Sequence, residues 1–297
     1  RRFGMAAVRM KTSTAVDAED VPYVFHVGGI DEDRGVLAHT SVLKLATDGT
    51  SGSWIMLPDS WNLATARHSH AVVSWTNHSG DGRQCVFAVG GDAADGTSLR
   101  DVEMLQLPIV SPFTNRAKAS DFVPSDPPAG GWARVPARLR VFRSRASAAV
   151  GPDGMLYVLG GELALLGEVE RCDLTQGCPV FEDVARLRKP RYAGAAVWSR
   201  EMNELLYIGG FRVGRFCNYE EECTDHAPTY EGLVAGPSTD VESYHVGTDS
   251  WNFRPPMQVA RYGLTAVEIA VPNPKYIADV AAAVAAAAGA KKETRTW

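Results

Sequence analysis

Long apolar stretches are scarce in this 297-residue chain; the longest, Val280 to Ala288, is mostly alanine. A helix that crosses a bilayer needs about 20 apolar residues, so neither a transmembrane helix nor membrane insertion is expected. An excess of positive charge is also missing: Lys and Arg number 30 against 35 Asp and Glu, a formal net charge of −5. That balance gives no general basic surface for nucleic acid. Arg1 to Met10 holds no apolar core of signal-peptide type. Nucleophile elbows, P-loops and dinucleotide fingerprints are absent from the sequence. With 45% hydrophobic and 22% charged residues, global disorder is excluded as a description, and there is material for a sizeable core.

What the chain does have is a repeat. A short apolar strand ends in Gly-Gly four times, at Gly28-Gly29, Gly90-Gly91, Gly160-Gly161 and Gly209-Gly210. Ahead of each lies a strand of small residues introduced by an arginine: Arg2, Arg67, Arg191 and, opening a fifth unit, Arg261. In the third unit Ser144 takes that place, flanked by Arg143 and Arg145. After each Gly-Gly comes another short strand, such as Asp101-Val102-Glu103 or Asp240-Val241-Glu242, and the unit closes on an aromatic: Trp54, Trp132, Phe181 or Trp251. Each unit reads as four strands separated by turn signals. Gly-Gly permits a sharp turn or a close approach of backbones. The tryptophan is large enough to fill the space between adjacent sheets.

These motifs resemble the kelch repeat family over residues 2–253. The resemblance implies an all-β fold, a kelch-type β-propeller of four-stranded antiparallel blades in one domain, 2–297. Residues 254–297 form either a degenerate fifth repeat or a C-terminal helix, because no Gly-Gly follows Lys275-Tyr276-Ile277 and Ala278 to Lys292 is alanine-rich. Ring closure is left open, and the start and stop points suit an open or excised fragment of a longer protein.

Five cysteines bear on the compartment. Cys172 with Cys178, and Cys217 with Cys223, are candidate disulfides at identical spacing, and Cys85 is expected to be a buried thiol. Asn77-His78-Ser79 is a glycosylation sequon. Extracellular or secretory and cytoplasmic locations stay equally open. His68 and His70 would share a strand face, but without a third ligand no metal is expected. The acidic run Glu220-Glu221-Glu222 with Asp225 and His226 is read as a solvated loop. No cofactor is expected.

In kelch substrate adaptors that this chain resembles, arginines at the entry to the first strand grip acidic peptides. The resemblance therefore implies a non-catalytic scaffold that binds a protein or peptide through Arg67, Arg143, Arg145, Arg191 and Arg261 at one channel mouth. A guanidinium fork suits a carboxylate. The competing reading is that each arginine is locked to an acid of a neighbouring blade, such as Glu103 or Glu242. Other kelch propellers are carbohydrate-active, the galactose oxidase relatives and the sialic acid mutarotases. A channel enzyme or lectin-like binder is the alternative function.

Overall fold

The computed structural model describes residues 2–3, 6–10, 23–45, 51–77, 84–107, 131–162, 167–212 and 235–266. The chain divides into two compact units, Arg1–Ala266 and Val267–Trp297. The second unit, and with it the expected fifth repeat or helix, lies outside the described residues.

The four repeats fold as four antiparallel sheets of four strands, each ordered first to fourth as in the chain. Sheet one holds Ala6–Met10, Tyr23–Val27, Thr40–Leu45 and Gly52–Met56. Sheet two holds Ala71–Thr76, Gln84–Val89, Asp101–Leu107 and Ala133–Arg138. Sheet three holds Ser147–Val150, Met155–Leu159, Val169–Asp173 and Glu182–Val184. Sheet four holds Ala195–Ser199, Glu204–Ile208, Val241–His245 and Ser250–Arg254. First strands of successive sheets stand side by side, so they form the inner edge of the array.

Each second strand stops one residue before its Gly-Gly, as the repeat predicts. The first glycine of every pair has a left-handed φ near +60°. Its open side faces the carbonyl of the arginine that opens the next unit: Arg67 for Gly28, Arg143 for Gly90, Arg191 for Gly160 and Arg261 for Gly209. The pair is therefore where one sheet's backbone rests on the next.

Three apolar cores separate the four sheets. Between sheets one and two lie Phe25, Val27, Val86, Leu105 and Trp132. Between two and three lie Phe87, Val89, Leu156, Val158 and Phe181. Between three and four lie Tyr157, Leu159, Leu205, Tyr207 and Trp251. The closing aromatics of sheets two, three and four, Trp132, Phe181 and Trp251, reach toward the sheet before them. Trp132 Nε1 donates to Thr40 Oγ1 at 3.1 Å, and Trp251 Nε1 donates to the Ala185 carbonyl at 2.7 Å. A buried indole usually finds such a partner.

Trp54 departs from the expectation that each closing tryptophan fills an inter-sheet gap, since it is 60% exposed. It stands opposite Leu43, as Trp251 stands opposite Tyr244, so its register is that of the others. Among the described residues no sheet precedes sheet one, which leaves the indole edge-to-face against His26 only, 6.0 Å between ring centroids. The core of sheets one and two holds a second buried indole beside Trp132, Trp61, on a 3-10 turn over Asp59–Trp61.

Cys172 and Cys178 form a disulfide with Cα atoms 5.3 Å apart, inside the core between sheets two and three. It takes the position that Tyr244 holds in sheet four. Cys85 is buried and not disulfide-bonded. Cys217 and Cys223 lie outside the described residues, as do His78 and Ser79 of the sequon.

Candidate functional site

Arg67, Arg143 and Arg191, expected at a solvent-facing mouth, are each 0% exposed. This corrects the binding assignment for these three. Arg67 pairs with Glu103, Arg143 with Glu170 at 2.7 Å and Arg191 with Glu242 at 2.8 Å. In each case the glutamate belongs to the third strand of the arginine's own sheet, not to a neighbour. The second half of each guanidinium ties down backbone. Arg67 Nη1 donates to the Gly90 carbonyl at 2.9 Å, and Arg143 Nη1 donates to Gly160 at 2.6 Å. Each glutamate also accepts backbone N–H groups from the connection entering its sheet: Ala64 and Thr65 on Glu103, Arg140 on Glu170, Arg188 and Lys189 on Glu242. The motif is a buried knot that holds one inter-sheet connection, one third strand and, for Arg67 and Arg143, one Gly-Gly together; Arg191 Nη1 donates to the Asp240 carbonyl instead. In the third unit Arg143, not Ser144, is the equivalent of Arg67.

Two of the five arginines remain accessible, Arg145 and Arg261. Arg261 keeps the backbone place of its relatives: its carbonyl accepts from Gly210 N–H at 2.8 Å, and its own N–H donates to Ser238. Its side chain is exposed, and no fifth third-strand glutamate lies among the described residues.

Arg145 is placed by a feature the sequence reading missed. Ser69, Arg145, Ala193 and Gly263 occupy equivalent positions two residues after the leading arginines, and all have left-handed φ, between 51° and 62°. They form a head-to-tail chain along the inner edge. Arg145 N–H donates to Ser69 O at 2.8 Å, Ala193 N–H to Arg145 O at 2.9 Å, and Gly263 N–H to Ala193 O at 2.7 Å. Left-handed backbone costs a non-glycine residue roughly 1–2 kcal/mol. The inter-sheet hydrogen bond made by the same peptide offsets that cost. The chain projects the Arg145 side chain, 46% exposed, toward Glu162, with 2.7 Å between Nη1 and the carboxylate.

An aromatic ledge runs on from there. The Arg145 guanidinium lies 6.0 Å from the Tyr192 ring centroid; Tyr192 to Phe211 is 5.4 Å, and Phe211 to Tyr262 is 5.3 Å. Tyr192 and Phe211 are half-buried, and Tyr262 is 58% exposed. Burial, followed by the negative charge of Glu162, raises the Tyr192 phenol pKa above its ordinary value. Tyr192 and Tyr262 directly follow their leading arginines. Their residue number relative to that arginine was the available signal.

His68 and His70 do not share a strand face. Left-handed Ser69 breaks the alternation between them, and His68 Nδ1 lies 3.0 Å from Ser69 Oγ. Among the described residues no cluster of three or more His, Cys, Asp or Glu could hold a metal ion. His70 is buried near Gly28 and Gly91. Burial first, then the Arg67 charge, lowers its pKa to about 3. A histidine whose folded pKa is depressed binds fewer protons folded than unfolded. Its contribution to stability is thus present above an unfolded pKa of about 6.5 and is lost as pH falls toward about 3. At pH 5 the expected loss from this group is about 2 kcal/mol relative to pH 7. Urea unfolding of the protein and of His70→Gln at both pH values checks this. The drop should shrink by most of that amount in the variant.

The sheets and their inner edge define an all-β protein of propeller-like architecture. Among solved structures the chain is similar to YjhT, a propeller-fold protein, with 17% identity, a TM-score of 0.55, and coverage of 86% of this chain and 72% of that chain. At that identity the likeness shows the fold alone. No family model and no curated protein matches the chain. Among the described residues no helix is long and apolar enough to cross a membrane.

Proposed function

We propose that this chain is a kelch-type β-propeller scaffold, without a catalytic role, that binds an acidic segment of a protein partner at the entry end of its inner strands. The observation that carries this reading is Arg145. Three repeat arginines are consumed in buried knots, while Arg145 is held at the inner edge by the backbone chain with its guanidinium accessible. Arg261 adds a second exposed cation two residues from the end of that chain. The exposed pair of Arg145 with Glu162 is worth only about 0–1 kcal/mol, so an incoming carboxylate can take its place. A partner segment that covers Arg145 withdraws the new pair from water, where a charge-assisted hydrogen bond is worth about 1.5–3 kcal/mol. Glu162 thus acts as a built-in competitor for the partner's carboxylate; the acidic run Glu220-Glu221-Glu222 lies outside the described residues.

Fluorescence anisotropy with a labelled glutamate-rich peptide tests the reading. Arg145→Ala should weaken binding about tenfold or more, a loss of at least about 1.4 kcal/mol, with the urea midpoint nearly unchanged. Arg67→Lys serves as the contrast: it should lower the midpoint and leave peptide affinity per folded molecule unaltered. No binding of the acidic peptide, or full binding by Arg145→Ala, overturns the proposal. Saturable binding of an uncharged sugar that ignores Arg145→Ala would favour the carbohydrate-active alternative.

A further inference from the structure

Resting on that reading, we infer that the partner segment places a bulky apolar side chain about two to four residues from its acidic residue, seated on the ledge of Tyr192, Phe211 and Tyr262. Three aromatic rings in series, 5.4 Å and 5.3 Å apart, lie directly next to the one accessible arginine of the inner-edge chain. Tyr262 is 58% exposed, so much of its surface faces solvent. Phe211 and Tyr262 meet edge-to-face at 80°, so the outer ring leaves a face open to a ligand. Charge complementarity fixes the orientation, since the ligand carboxylate belongs at the Arg145 end, where it replaces Glu162. A side chain about two to four residues further on, on the same face of an extended segment, then falls over Phe211 and Tyr262, because each step of the series is 5.3–6.0 Å and an extended chain rises about 3.3 Å per residue. Rings and aliphatic side chains both suit such a surface, and aromatic pairing adds to the area buried.

The ledge is built from parts that cannot easily rearrange. Phe211 N–H donates to the Tyr192 carbonyl at 2.7 Å, and Tyr192 N–H donates to the Phe211 carbonyl at 3.1 Å, so two rings share one backbone bridge. Tyr262 sits between Arg261 and Gly263, both pinned by backbone hydrogen bonds. The surface is preformed, which lowers the ordering cost of binding.

The test uses three labelled peptides of equal length on the full chain: glutamate followed four residues on by alanine, glutamate followed four residues on by phenylalanine, and, with one negative charge fewer, glutamine followed four residues on by phenylalanine. The glutamate–phenylalanine peptide should bind at least fivefold more tightly than glutamate–alanine. Tyr262→Ala should erase that preference while leaving glutamate–alanine affinity and the urea midpoint unchanged. Glutamine–phenylalanine should bind weakest. Equal affinity for the two glutamate peptides, or a preference that survives Tyr262→Ala, overturns the ledge. If instead glutamate–alanine binding does not depend on Arg145, the acidic-segment reading itself fails, whatever the ledge does.

Discussion

Glu242→Ala is expected to destabilise the protein by about 3–5 kcal/mol, the range for breaking one side of a buried ion pair. The carboxylate is 0% exposed and holds three groups at once: the Arg191 guanidinium at 2.8 Å, Arg188 N–H at 2.8 Å and Lys189 N–H at 3.2 Å. Alanine leaves a buried cation without its counter-charge and orphans the N–H groups of the connection into sheet four. Desolvation, only partly countered by Arg191, raises the Glu242 pKa, and desolvation likewise lowers that of Arg191. Both directions say that burial of this pair is costly, so the intact pair adds little net stability while its half-removal costs much. The double variant Arg191→Met with Glu242→Leu should therefore lose clearly less than the sum of the single losses. Urea unfolding across the four-member cycle measures this. Additive losses, or a Glu242→Ala cost below about 1 kcal/mol, would remove the knot as a stabilising unit.

The fold was legible because its signals are local. Gly-Gly, the small-residue strand and the closing aromatic each act within a few residues, and the sheets follow them. The roles of the arginines were not legible from the leading residue alone. The partner glutamates lie 36, 27 and 51 residues away in Arg67–Glu103, Arg143–Glu170 and Arg191–Glu242. Insertions in the loops scramble those distances, and only strand register brings the groups together. Yet both halves of the knot stand in the repeat, an arginine at the start of the first strand and a glutamate in the third. Their joint occurrence within one unit was the missed clue. In sheet one the third strand has Ser41 at the glutamate's place, bonded to His26 at 3.0 Å, so the knot is not general. The third-unit frame slipped because Ser144 is flanked by two arginines. Burial alone distinguishes Arg143, inside the knot, from Arg145, two residues on and pointing outward. Trp54 shows the converse: a residue in perfect repeat register is exposed when no described sheet faces it.

Gly90→Ala is expected to be strongly damaging for a one-carbon change, as one of the Gly-Gly positions where a Cβ would meet backbone. Gly90 has φ +60°, and a Cβ there would lie 2.5 Å from the Arg143 carbonyl oxygen. That oxygen cannot step aside. It accepts from Gly91 N–H at 2.7 Å, while Arg143 N–H donates to Leu99 O and the Arg143 side chain is fixed on Glu170. The left-handed backbone costs alanine roughly 1–2 kcal/mol, and a lost or stretched backbone hydrogen bond adds about 0.5–1.5 kcal/mol. Loosened packing between sheets two and three adds to both, since cores are sensitive to displacements of a methyl group. A total of about 3 kcal/mol is expected from these terms. Gly35→Ala separates strain from collision. Gly35 has φ +72° with nothing within 4 Å of its would-be Cβ, so it should lose only the backbone cost of about 1 kcal/mol. Urea unfolding of the two variants side by side gives the difference. Equal losses would mean that the Gly-Gly pair serves the turn alone and that no close approach of neighbouring sheets depends on it.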